Sequence, residues 1–189
     1  MKLTRKQQAR REQINRNIQT VARQHAMDSL SPDQLVGLLS SVEPFVEWAA
    51  TTSLLSRGKG SIPALVAGMK HTSAKIRATC ALLLDHVADD TCIYPLIEAI
   101  RTDPQEAVRR CALHSLVCDG CKECPLNTDV IAVLLEVAKA DRSLAVRRRA
   151  VFYLGQQRHD PRIREALEAL MREETDAILL RRARRILER

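Results

Sequence analysis

An apolar residue, a small residue four positions later and an apolar residue four beyond that recur along this chain. The sets are Ile76/Cys80/Leu84, Val108/Ala112/Leu116, Val146/Ala150/Leu154 and Leu179/Ala183/Leu187, with a weaker copy at Val46/Ala50/Leu54. Steps of four place all three residues on one helical stripe. Successive anchors lie 30, 32, 38 and 33 residues apart. A unit of that length is one helix pair, too small to bury its apolar face alone, so it must stack on its neighbours. A second stripe precedes each anchor. Ala64, Leu96, Leu134 and Leu167 lie twelve residues upstream, and Ala67, Ala99, Val137 and Leu170 nine upstream. Short polar turns separate the two stripes: His71-Thr72-Ser73, Thr102-Asp103-Pro104, Ala140-Asp141-Arg142 and Glu174-Thr175-Asp176. Such connections force antiparallel neighbours. The pattern predicts helix pairs over about 61–88, 92–118, 129–156 and 162–188, with a weaker pair at 33–57. The expected fold is an all-α, right-handed α-solenoid. Residues 1–30 form a basic leader helix or arm, and 31–189 form the repeat domain.

The layout resembles the HEAT repeat, in particular the short units of the phycobilisome-lyase-like kind. The resemblance is carried by Asp103 with Val108-Arg109 and by Asp141 with Val146-Arg147. It implies a turn acid and an arginine six residues later. The other copies depart from this: His71 with Arg77, Glu174 with Leu180, and Ser41 with Glu47. These departures fall toward the ends, where capping repeats lack one neighbour. Asp103–Arg109 and Asp141–Arg147 are expected as structural ladder pairs, inside or between repeats, that hold the turns in register. A scaffold of this type hosts many tasks, so the resemblance speaks to fold before function.

Composition agrees. Hydrophobic residues make up 46% and aromatics 3%, so Leu, Ala, Val and Ile must build the core. No run approaches the roughly 18–20 apolar residues of a membrane helix. No apolar signal region follows the charged N-terminus, so the six cysteines are expected as reduced thiols in a cytoplasm.

Charge is uneven. Residues 1–30 hold seven Lys/Arg against two acids, 31–140 ten against thirteen, and 141–189 thirteen against eight. Residues 5–24 read as a helix whose apolar stripe is short: Ile14, Ile18 and Val21. Arg110, Arg148 and Arg181 occupy equivalent repeat positions and should line up, with Arg149, Arg182 and Arg185 nearby. This predicts a basic strip for a protein partner with an acidic surface, or alternatively for a nucleic-acid backbone. One Trp, two Tyr and two Phe speak against base flipping or single-strand stacking. The chain has no glycine-rich phosphate loop and no H-E-x-x-H helix. The expected function is a non-catalytic binding scaffold, with a redox or metal protein using the Cys118–Cys124 loop as a further alternative.

The most specific local motif is Cys118-Asp119-Gly120-Cys121-Lys122-Glu123-Cys124-Pro125, inside the longest repeat spacing. Overlapping C-x-x-C spacings let two thiolates reach one ion across a tight turn. His114 precedes Cys118 by one helical turn. His114, Cys118, Cys121 and Cys124 are therefore the expected ligands of a zinc ion. An iron–sulfur cluster is the alternative, although Thr128 stands where its fourth cysteine belongs. Free thiols or a disulfide in an exposed loop are the plain reading. Cys80, Cys92 and Cys111 read as core-filling thiols.

Overall fold

The computed structural model describes residues 4–122 and 124–188. The first three residues of the expected leader and the last of the repeat domain lie outside the described residues. Within them all regular structure is helical, with no strand. A leader helix α1 (Arg5–Gln24) precedes the pair α2 (Pro32–Gly37) and α3 (Val46–Ser56). Four further pairs follow: α4 (Ile62–Gly68) with α5 (Ala74–Val87), α6 (Ile93–Thr102) with α7 (Glu106–Val117), α8 (Val130–Ala140) with α9 (Leu144–Leu154), and α10 (Pro161–Glu173) with α11 (Ala177–Leu187). The pairs stack as a right-handed solenoid.

Local sequence explains where the helices begin. Thr4 and Ser31 each form a capping box, with Gln7 and Gln34 reaching back to the cap amides. Asp129, Asp160 and Asp176 cap α8, α10 and α11 by accepting first-turn amides. Pro32 and Pro161 stand at the first helical position, where no amide hydrogen is needed. Leader helix α1 has no fully buried residue, and Ile18, Val21 and Ala22 pack it against the core.

The repeating stripe builds one continuous core. All three anchors of the copies starting at Val46, Ile76, Val108 and Val146 are buried, as are Leu179 and Ala183. Leu187, in the last described repeat, is only partly covered. Small residues at the middle anchor let helices approach closely. Gly68 shows how closely: a Cβ there would lie 2.5 Å from Cys80 Sγ and 2.9 Å from Val36 Cγ1. The second stripe fails at one point. Ala67 is exposed, and Leu65, Gly68 and Met69 face the core instead.

The acid–arginine ladder is displaced by one repeat from the expected pairs. Arg109 does not meet the Asp103 carboxylate. Its Nε and Nη2 donate to Asp141 at 2.8 and 2.9 Å, and its Nη1 donates to the Asp103 carbonyl at 3.0 Å. Arg77 likewise takes Asp103 at 2.7 and 3.1 Å, and Arg147 takes Glu174 at 3.3 Å, not Asp141. The reason is directional. A side chain early in a helix leans back toward its own turn, so its inner edge closes on the turn carbonyls. Its outer edge then faces the neighbouring turn. Each aspartate meanwhile holds its own turn: Asp103 Oδ1 accepts from the Gln105 amide and Asp141 Oδ1 from the Ser143 amide. At the N-terminal boundary the polarity reverses, with Lys75 donating to Glu47.

Breaking one member of a desolvated pair leaves a buried charge alone. Arg109→Ala is therefore expected to cost about 3–5 kcal/mol. Arg147→Ala should cost less, because its guanidinium is 23% exposed against 3% for Arg109. Urea unfolding of both variants checks the order; equal losses would mean that the pairs do not lock the turns.

Candidate functional site

Two polar features occupy the second-helix layer, formed by α5, α7, α9 and α11. The first is a cluster at the C-terminal ends of α5 and α7. Ser115 Oγ donates to the Ala81 carbonyl at 2.6 Å, which holds these two helices in close contact. That contact sets His114 against Asp85, with Nε2 3.0 Å from Oδ2. Past α7 the chain turns at Asp119-Gly120 and brings Cys121 Sγ to 3.5 Å from Cys118 Sγ. One ligand atom each from Asp85, His114, Cys118 and Cys121 lies within 4.8 Å of all the others. Among the described residues this group could hold a metal ion.

Cys124, expected in the set, is not in it. Leu126 is buried, and the Asn127 amide donates to Asp90 at 2.9 Å. These two anchors draw the chain away, and Cys124 lines a separate cleft of about 530 Å³ beside His86, Asp89 and Asp90. Asp85 stands where Cys124 was expected. Its side chain is 2% exposed, and Oδ1 has no hydrogen-bond partner. Lys122 Nζ, itself 1% exposed, is 3.6 Å from that oxygen and donates to the Cys118 carbonyl. Next to Asp85 and Cys118, the Cys121 thiol is pushed up to about 12. A bound cation would reverse that preference, because it favours thiolate. Tyr153 on α9 completes the group, with its Oη 2.7 Å from His114 Nδ1. Burial pushes the Tyr153 phenol up, so it remains protonated.

The second feature is basic, and it is shorter than the sequence suggested. Arg110 is engaged by Glu106 at 3.6 Å on its own helix. Arg148 donates through Nε to Asp176 at 2.8 Å, and through Nη2 to the other carboxylate oxygen. Arg148 is thus paired inside the array, whereas Arg110 faces Glu106 across a surface contact and stays 46% exposed. Acids one turn before Arg110 and at the α11 cap lie along the expected column. Arg149, Arg181, Arg182 and Arg185 have no carboxylate within 4 Å among the described residues. The Arg149 guanidinium lies 5.8 Å from the ring centres of both Phe152 and Tyr153, within cation–π range. Arg182 donates to the Arg148 carbonyl at 3.0 Å. Phe152, 45% exposed, and Arg158, Arg182 and Arg185 line a groove of about 380 Å³ between α9 and α11. Tyr153 touches both features and makes them neighbours.

No protein-family model and no curated protein matches the sequence. Among solved structures, the chain is similar to one from the complex of CpcE and CpcF of phycocyanin lyase from Nostoc sp. The identity is 20%, over 82% of this chain and 97% of that one, with a TM-score of 0.64. It is also similar to a designed armadillo repeat protein at 17% identity, over 92% of this chain and 86% of that one, with a TM-score of 0.51. At these identities the likeness is one of fold. The class it defines is the helical-repeat solenoid of the HEAT and armadillo kind. No helix among the described residues is long and apolar enough to cross a membrane.

The Arg148–Asp176 pair has a pH signature. The hydrogen bond from Arg148 holds the Asp176 carboxyl down at about 2. A depressed folded value means that the pair's contribution is fully present above the ordinary aspartate range and is lost as pH falls through about 2. Asp176→Asn should therefore flatten the acid limb of a melting-temperature profile relative to wild type. Identical acid limbs would remove this pair as a source of stability.

Proposed function

We propose that the chain is a non-catalytic binding scaffold that holds an acidic protein segment in the groove between α9 and α11. The carrying observation is the uncompensated charge of Arg182 and Arg185 in the groove that exposed Phe152 lines, with Arg149 over the Phe152 ring and Arg181 further along α11. Arginines with a neighbouring aromatic favour carboxylate-rich segments that also present an apolar side chain. Rigid solenoids supply such faces without rearrangement. The similar fold of the CpcE–CpcF complex, a pairing of two proteins, is consistent with a scaffold role.

A nucleic-acid backbone is the alternative occupant, and the geometry favours it less. Phosphate tracking needs a continuous run of free cations. Here Arg148 is tied to Asp176 and Arg110 shares its surface with Glu106, so free positive charge thins toward the middle repeats. The same reading takes zinc as the cofactor of the cysteine loop, in a structural role. The structural ladder of Arg77, Arg109 and Arg147 with Asp103, Asp141 and Glu174 serves only to keep the face rigid.

A fluorescent Asp/Glu-rich peptide containing a leucine or phenylalanine tests the scaffold reading. Binding should weaken as ionic strength rises. It should also weaken at least about 10-fold in the Arg182→Glu/Arg185→Glu variant, through like-charge repulsion. Equal peptide binding by wild type and variant would contradict the assignment. A duplex oligonucleotide that binds more tightly than the peptide, with a steeper salt dependence, would replace it with the nucleic-acid reading.

A further inference from the structure

We infer that the fourth ligand of the cation centre is Asp85, contributed by the preceding repeat, and that Cys124 takes no part, so the ion staples two repeats. This rests on the reading of zinc as the cofactor and adds its ligand set. Four observations carry it, each independent of the cysteine spacing.

The first is ligand geometry. Zinc binds thiolate sulfur at about 2.3 Å and imidazole nitrogen or carboxylate oxygen at about 2.0–2.1 Å. The edges of such a tetrahedron are about 3.8 Å between sulfurs and about 3.3 Å between nitrogen and oxygen. The observed separations are 3.5 Å for Cys118–Cys121 and 3.0 Å for His114–Asp85. Both lie within about 0.3 Å of those edges, and no two of the four ligand atoms are more than 4.8 Å apart, so small side-chain shifts would close the set on one ion.

The second is the orphaned carboxylate oxygen. A buried acceptor without a partner needs an explanation. Asp85 Oδ1 is such an atom, on an aspartate that is 1% exposed overall. Its nearest charge is Lys122 Nζ at 3.6 Å, beyond hydrogen-bond reach, and a cation held by the carboxylate would supply the missing partner.

The third is charge. Two thiolates and one carboxylate carry three negative charges. A divalent cation leaves one, and Lys122, buried 3.6 Å from Asp85, cancels it. The mixed set of two sulfurs, one nitrogen and one oxygen suits zinc better than calcium or magnesium.

The fourth is support for the histidine. Tyr153 engages His114 Nδ1, which leaves Nε2 to face Asp85 and the sulfurs. A partner on the second nitrogen fixes ring orientation and tautomer, as metal-bound histidines generally require. Tyr153 is thus a positioning residue from a third repeat. All four coordination places are filled by protein, so the centre is structural and has no site for a reacting water.

The test uses full-length protein purified under reducing conditions without added metal, with zinc measured per chain and cobalt(II) as the spectroscopic probe. Wild type and Cys124→Ser should each hold one zinc, with identical thiolate-to-cobalt charge-transfer intensity. Cys121→Ser should lose the zinc while its circular dichroism stays helical. Asp85→Asn is close to isosteric, which protects the fold. It should bind at least about 10-fold more weakly in competition with a chromogenic chelator, and Tyr153→Phe about 10-fold more weakly at unchanged band intensity. If wild type binds, Cys124→Ser loses a third of the charge-transfer intensity and Asp85→Asn keeps full affinity, the ligand set is overturned while zinc stands. Wild-type protein with fully reduced thiols and no bound cation overturns the zinc reading itself.

Discussion

A guanidinium reaching from one repeat into the turn of the next is the interaction on which the rest of this structure depends. Arg77, Arg109 and Arg147 each bind carbonyl oxygens of their own turn and the acid of the following one. Neither half could be left unmade cheaply. A buried guanidinium without its carboxylate, or a turn aspartate without its guanidinium, would strand a charge away from water. Apolar burial supplies most of the stabilisation but is non-directional. The ion pairs and the turn amides they organise determine which residue faces which between neighbouring pairs.

That register is what assembles the polar cluster. Asp85, His114 and Tyr153 belong to three successive second helices and are far apart in sequence. They meet only because α5, α7 and α9 stack at a fixed offset, held locally by Ser115 on Ala81. A slip of one residue would swing His114 about 100° around its helix, away from Asp85. The same stacking sets the Arg149 guanidinium against the Tyr153 ring and places the α9–α11 groove next to the cluster. Order at the cysteine loop and the shape of the basic face are therefore mechanically linked through one tyrosine.

The helix pairs were readable from sequence because the buried stripe repeats with period and position intact. The expected pair boundaries fall within two residues of those found. What the stripe could not show is which acid each arginine meets, since a carboxylate six residues away competes with one about 30 away and only stacking decides. Cys124 misled for a related reason. Its spacing from Cys121 equals that of Cys121 from Cys118, and spacing says nothing of how Leu126 and Asn127 pull the chain aside. Asp85 left a signal that went unused. Leu55, Val117 and Gly155 occupy the same place in three other copies and Glu188 in the last one, so Asp85 is the acid that stands there inside the array. Charge along the strip is visible in sequence, but the acids that fold against it, Glu106 and Asp176, are not.

The account stands on ligands that come from two repeats and not from one loop. X-ray absorption at the zinc edge of the reduced, full-length protein measures this most directly, because it counts sulfur and lighter scatterers around the ion. The account predicts two sulfurs at about 2.3 Å and two nitrogen or oxygen atoms at about 2.0 Å. Three sulfurs and one nitrogen would place Cys124 at the ion, confine the centre to a single repeat and contradict it.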